Sequence, residues 1–421
     1  MGLHGQWQDG PPGTEPQPAL SPARGRAMPD TAALIAAWAR SAVAPHGGAF
    51  RHLHAHEIGA PVLQALLERA GIPASAVDAV VMGNALGAGG NPARMVALAA
   101  GLPDRCAAFS VDTQCCAGLD AVAVAAGLLA SGQAEVVVAG GVEAWSRAPI
   151  RQHRPLMAGE PATPYERPAF APEPARDPDL LQAAADYAAT HHISRVQQDD
   201  YALDSHERAL AHRELQATEI VPVAGLHWDA YPRAMRPAAA ARLPVQAVGA
   251  QKDAGTAPMD CAVSTLAIST RADGAAMVLL MTEAAARKHG VRPAAQLRAS
   301  ASVGQDPAMP LLAAEAATRA VLLRANVRDA SDCEVIELHD AFAVQGLSYC
   351  AALGLCPDSI NRLGGGIARG HPIGASGAIA LVRVLADLQR LGRPGAFGLA
   401  AVAGAGGIGA ATLVEWLGET A

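Results

Sequence analysis

Lysine is almost missing from this 421-residue chain: Lys252 and Lys288 stand alone, so nearly all of the 32 basic residues are arginine. Aromatic residues are scarce as well, at 4%. No basic stripe interleaved with aromatics can be drawn, and the net charge is −7, so a nucleic-acid surface has no support. Charged residues reach only 17% against 51% hydrophobic, which describes a well-buried α/β chain and not a disordered one. The seven cysteines contain no Cys-x-x-Cys pair, so no structural zinc framework is suggested. Their odd number and irregular spacing read as reduced cytosolic thiols rather than a disulfide scaffold. The N-terminus lacks an Arg- or Lys-led apolar leader, and residues 1–28, rich in Gly and Pro, read as a disordered tail. Long runs of Leu, Ile and Phe are also lacking. The 19-residue uncharged run 396–414 is mostly Ala and Gly, with five glycines, and predicts two buried strands with a Gly-rich turn instead of a membrane span.

What is present alternates between strand and helix patterns. Residues 57–70 predict an amphipathic helix, 79–82 a strand, and Asn91-Pro92 the opening of another helix. A strand is predicted at 107–111, a long apolar helix at 117–130 and a strand at 135–139 that ends in Gly140-Gly141-Val142-Glu143. From Trp145 the texture changes to Pro- and charge-rich sequence. Ser194 with Gln197 three residues on marks one helix start by a capping box. Later the early pattern recurs: a strand at 333–337, Gly370-His371-Pro372 opening a helix over 377–391, and a strand at 396–403. Two similar halves of strand, loop, central helix and strand predict a pseudo-twofold α/β fold. The boundaries expected are 29–145 for the first half, completed by about 265–285; 146–264 for an inserted loop domain; and 286–421 for the second half.

The stretch Gln114-Cys115-Cys116-Ala117-Gly118-Leu119 places two thiols at a strand-to-helix turn. Unpaired N–H groups and the positive helix end there lower a thiol's pKa and favour the thiolate. On these residues alone two readings stand: a nucleophile presented by a buried helix, or a pair of small core cysteines.

Several blocks together resemble the thiolase family, in family order, from about residue 32 to 418. They are Met82-Gly83-Asn84-Ala85-Leu86 with Asn91-Pro92-Ala93-Arg94, the Cys115 stretch, Gly140-Gly141-Val142-Glu143, the helix from Ser194, His339-Asp340-Ala341-Phe342-Ala343, and the long block Asn361 to Gly377 containing Gly370-His371-Pro372-Ile373-Gly374. The resemblance implies a thiolase fold, a duplicated five-layer αβαβα core with an inserted loop domain that binds coenzyme A. It implies an acyl-CoA C-acyltransferase with acyl-CoA and coenzyme A as substrates, no separate cofactor or metal, a homodimer or homotetramer, and no nucleic-acid or membrane partner. Cys115 would be the acylated nucleophile and His371 the base that takes its proton. His339 would help bind the thioester oxygen; its His-Asp-Ala-Phe block is similar to that of sterol-carrier-type thiolases. Asp340 would orient a neighbouring group, and Ser269 would contact the pantetheine arm.

One departure bears on the chemistry. Where the family has Cys-x-Gly-Gly-Gly-x-Gly, this chain has Ala403-Gly404-Ala405-Gly406-Gly407-Ile408-Gly409. That cysteine is the family's acid/base for the carbon–carbon step, and Ala403 cannot transfer a proton. The backbone N–H of Ala405 can still join that of Cys115 in an oxyanion hole, which needs no side chain. Two further patterns are weak. Gly404, Gly406 and Gly409 match GxGxxG with only 12 residues following, too few for a βαβ unit. His52, His54 and His56 alternate ahead of a helix and read as solvated histidines rather than metal ligands.

Overall fold

The computed structural model describes residues 32–87, 89–250 and 258–418; the tail expected over 1–28 lies outside them. Nine main strands and eight helices position the site. In chain order they are β1 (Leu34–Ser41), α1 (Ala55–Ala70), β2 (Ala79–Gly83), α2 (Pro92–Ala99), β3 (Ala107–Val111), α3 (Ala117–Ala130), β4 (Val136–Ala144), α4 (Leu180–Thr190), α5 (Arg195–Ala211), β5 (Ala272–Met281), β6 (Ala295–Gly304), α6 (Ala313–Ala325), β7 (Val335–His339), α7 (Ala343–Leu353), α8 (Ser376–Leu391), β8 (Phe397–Gly404) and β9 (Ile408–Trp416).

The strands hydrogen-bond in the order β7-β8-β9-β6-β1-β5-β4-β2-β3. The order β2-β4-β5-β1 in the first half recurs as β7-β8-β9-β6 in the second, so the repeat seen in the sequence is also a repeat of topology. The halves join edge to edge through a short antiparallel contact, Leu34 with Gln296 and Ile35 with Ala295. The continuous sheet folds over two central helices, α3 and α8, which touch each other and both halves. Helices α1 and α2 cover the outside of the first half, and α6 and α7 cover the second. Helix, sheet, central helices, sheet and helix thus make five layers, the αβαβα order expected above.

Sequence explains most of this locally. Helix α8 is buried without a break from Ser376 to Ala386, as a central helix must be, with Arg383 the one charge in that stretch. Strand β4 is a run of small and β-branched residues interrupted only by Glu143, buried at all nine positions, as expected of a strand covered on both faces. The uncharged run 396–414 forms the β8–β9 hairpin. Ser194 and Gln197 form the capping box of α5.

Three expectations change. The strand at 135–139 does not end at its glycines; β4 runs through them to Ala144. Gly140 and Gly141 serve close approach there, because a Cβ on them would lie 2.0 Å from the carbonyls of Ala276 and Gly374. The His371 block does not open the central helix directly. A short 3₁₀ turn, Ile373–Ala375, intervenes, and Pro372 sits ahead of it. Helix α4 was not foreseen in the Pro- and charge-rich region; Asp179 caps it by accepting from the amides of Leu181 and Gln182.

Charge is buried behind the central layer as a balanced network. Arg40 of β1 bonds Glu219 at 2.7 Å and Asp229 at 2.8 Å, and Arg383 of α8 bonds the other Glu219 oxygen at 2.5 Å. Each arginine faces two carboxylates, Arg383 having Asp387 at 3.3 Å as well, which is what makes full burial tolerable. No helix among the described residues is long and apolar enough to cross a membrane.

Candidate active site

The two halves bring their matching helix starts together. Strand β3 ends at Val111, and the chain turns sharply through Gln114, whose φ of +54° is unusual for a side-chain-bearing residue. The Asp112 carboxylate holds this turn by accepting from the Gln114 amide and side chain, both at 3.1 Å. Cys115 follows on a 3₁₀ turn, Gln114–Cys116, that leads into α3. Its Sγ lies 3.1 Å from His371 Nε2, contributed by the other half. The two cysteines are thereby separated: Cys116 Sγ is fully buried and points to the backbone oxygens of Val402 and Ile408 at 3.7 Å.

The ring of His371 is oriented from behind. Its Nδ1 is 2.7 Å from Ser376 Oγ, and that hydroxyl donates to the Pro372 carbonyl at 3.0 Å. A serine has one proton to give. With it committed to Pro372, Oγ must accept from Nδ1–H, and the Nε2 lone pair faces the thiol. This assigns the tautomer from the hydrogen-bond network, and it is the one a general base requires.

The lowering of the thiol's pKa expected at a helix start is outweighed here by burial. Burial pushes the Cys115 thiol up to about 12, and the nearby Glu143 and Asp112 carboxylates add to that. The N–H groups of Ala405 and of Cys115 itself oppose the rise without overcoming it. Burial also lowers His371 to about 4. The resting pair is therefore a neutral thiol beside a neutral imidazole, because a dry site penalises both charged forms. Helix-end effects are worth about 1 kcal/mol at the surface and lose here to desolvation.

His339 stacks on His371 with ring centroids 4.4 Å apart and planes 25° from parallel. It is buried, and burial, His371 and Arg369 hold its pKa well below the usual histidine value. Its Nε2 has no hydrogen-bond partner among the described residues. Asp340 accepts from Tyr201 Oη at 2.8 Å and from the Ile367 amide at 3.3 Å, which ties α5 to the His339 loop. Ser269 links the same loops: its amide donates to Ala341 at 2.8 Å and its hydroxyl to the Gly366 carbonyl at 2.6 Å. Ala403 sits near the end of β8 in the apolar cluster that also holds Ala313 and Leu338.

Two polar residues of the site carry roles the sequence did not announce. Ser376 lies five residues past His371, a spacing recognisable only once the intervening turn is known. Glu143 is 1% exposed and accepts from Asn84 Nδ2 (2.9 Å) and the amides of Ala85 (3.0 Å), Leu86 (3.3 Å) and Gly374 (3.0 Å). Burial raises it to about 7 against the opposing amides of Ala85, Gly374 and Leu86. The histidines 52, 54 and 56 fall outside this arrangement. The His54 amide donates to Glu57 at the start of α1, and among the described residues no three His, Cys, Asp or Glu side chains gather as a metal site.

A buried thiol paired with an oriented imidazole, at the junction of two topologically repeated α/β halves, is the arrangement that cysteine-dependent group transfer requires. Residues 33–284 match the thiolase N-terminal domain family, and residues 291–416 match the thiolase C-terminal domain family. An acetyl-CoA acetyltransferase from Rhizobium meliloti is 36% identical over 409 residues, covering 93% of this chain and 100% of that protein. One from Shinella zoogloeoides is 35% identical over 401 residues, covering 92% and 100%. The crystal structure of the Bacillus anthracis acetyl-CoA acetyltransferase superposes with a TM-score of 0.82 at 30% identity, covering 92% of this chain and 99% of that one. The chain belongs to the thiolase family.

Proposed function

We propose that this protein is an acyl-CoA C-acyltransferase that forms an acyl-thioester on Cys115 and passes the acyl group to or from coenzyme A thioesters. The observation that carries this is the 3.1 Å contact between Cys115 Sγ and a His371 Nε2 kept free of its proton by Ser376. The thiol proton moves to Nε2 as sulfur attacks the thioester carbonyl. The carbon–sulfur bond to coenzyme A then breaks, and the proton returns to the departing thiolate. The N–H groups of Cys115 and Ala405 receive the developing oxyanion. His339, whose Nε2 has no partner among the described residues, binds the thioester oxygen of the second substrate beside His371.

The finer assignments belong to the same proposal. Residues 29–145 with about 265–285, and 286–421, form the two catalytic halves. The inserted segment 146–264, with Ser269 near it, receives coenzyme A. The enzyme works as a homo-oligomer in the cytoplasm, in lipid metabolism, with coenzyme A thioesters as substrates and no further cofactor.

A second reading is favoured by one residue. Ala403 stands where the family carries its acid/base cysteine, and a methyl group cannot move the α-proton of a Claisen step. A condensation in which loss of carbon dioxide makes the carbanion needs no such group. One experiment separates these readings from a non-catalytic acyl-CoA-binding protein: incubation with acetyl-CoA, then a mass measurement on the peptide carrying Cys115. A gain of about 42 Da, one acetyl group, is expected there and not in Cys115→Ala. No adduct with any acyl-CoA rejects both enzymatic readings. With an adduct in hand, acetoacetyl-CoA thiolysis and malonyl-CoA condensation decide between them.

A further inference from the structure

We infer that Glu143 is a positioning residue that holds the His371 loop against Cys115 by clamping the two halves of the fold together. It rests on the pairing of Cys115 with His371 proposed above. The carboxylate is buried at the end of β4, and no Lys, Arg or His among the described residues pairs with it. It is neutralised only by donors. Three come from the first half, Asn84 Nδ2 and the amides of Ala85 and Leu86, all just past β2. The fourth is the Gly374 amide from the second half, 3.0 Å away and three residues beyond His371. One oxygen, Oε2, takes both Ala85 and Gly374, so a single atom bridges the halves.

The backbone around this bridge leaves no slack. A Cβ on Gly83 would lie 2.5 Å from the Gly374 carbonyl oxygen, and one on Gly141 would lie 2.0 Å from it. A Cβ on Gly374 would lie 2.6 Å from Asn84 Cα. The glycines admit the second-half loop into the first half, and Glu143 fixes its depth by direct hydrogen bonds. Burying a carboxylate without a cation is costly, and an apolar residue here would leave the buried Gly374 amide and the part-buried Ala85 and Leu86 amides unpaired. The gain is a loop whose His371 cannot drift from the thiol.

The test uses Glu143→Asp, which keeps the charge but shortens the arm by about 1.5 Å, so it cannot reach both loops. The readout is the rate of Cys115 alkylation by iodoacetamide at neutral pH, followed by peptide mass, with His371→Ala and the double variant alongside. Glu143→Asp is expected to slow alkylation about tenfold in the native background. In the His371→Ala background it is expected to change the rate less than about twofold, because there is no base left to position. An equal loss in both backgrounds, or no loss in the native one, overturns the inference. If His371→Ala itself leaves alkylation unchanged, the base assignment fails and the positioning role falls with it; if only Glu143→Asp is silent, the base assignment survives. Should Glu143→Asp not fold, hydrogen exchange on the unaltered protein decides: slow exchange of the Gly374 and Ala85 amides is expected, and exchange at free-peptide rates overturns the clamp.

Discussion

Replacing Ser376 by alanine should disable the base without touching a group that meets substrate. The hydroxyl accepts from His371 Nδ1–H at 2.7 Å and donates to the Pro372 carbonyl at 3.0 Å. Ser376 is 1% exposed, so water does not readily take its place. Alanine leaves Nδ1–H buried and unpaired, at a cost of about 1–3 kcal/mol. The ring can escape that cost by moving the proton to Nε2, where it meets the Cys115 thiol and no acceptor remains. The population of the competent tautomer then falls by the same free energy, which corresponds to a rate loss of about 5- to 150-fold. The assay is the rate at which acetyl-CoA acetylates Cys115, read by peptide mass, with ¹⁵N shifts of the His371 ring reporting the tautomer. Acetylation at the native rate by a folded Ser376→Ala protein, or a ring still protonated at Nδ1, would refute the tautomer assignment.

Because burial holds the thiol near 12, ultraviolet thiolate absorbance, taken as native minus Cys115→Ser, should be absent at neutral pH and appear only in strong alkali; a thiolate signal at pH 7 contradicts the neutral pair. Because burial lowers His371 to about 4, the ¹⁵N shifts of its ring should stay those of a neutral imidazole on acidification to about pH 5 and change only as the pH approaches 4. A change centred near the ordinary histidine value of about 6.5 would place the base in a wetter site than this one. Glu219→Ala takes the shared carboxylate from both arginines, leaving Arg40 with Asp229 and Arg383 with the more distant Asp387, and should cost about 1–3 kcal/mol in denaturant unfolding; a loss under about 0.5 kcal/mol denies the network its structural role. Restoring a thiol as Ala403→Cys should raise acetoacetyl-CoA thiolysis, and no change would show that Ala403 is not the limiting defect.

Much of the fold was legible because its signals are local. The apolar run 117–130, the capping box at Ser194 and Gln197, and the uncharged hairpin 396–414 each state their structure within a few turns of chain. The misreadings were also local. Gly140 and Gly141 look like a strand end but permit backbone contact with Ala276 and Gly374, partners more than a hundred residues away. Helix α4 was hidden by the Pro-rich sequence before it, since its start depends on Asp179 turning back to cap it.

The chemical inventory is legible in the chain alone: a cysteine pair before an apolar helix, two histidines in the matching half, and the order of strands and helices that carries them. Tertiary structure decided which cysteine meets a histidine, which imidazole nitrogen carries the proton, and that the thiol rests uncharged. It also decided that Glu143, otherwise one more acid at the end of a strand, joins the two halves beneath the site. The division has a physical cause. Strand and helix periodicity is written in neighbouring residues, while hydrogen-bond partners and desolvation depend on through-space distances between segments some 260 residues apart, such as Cys115 and His371.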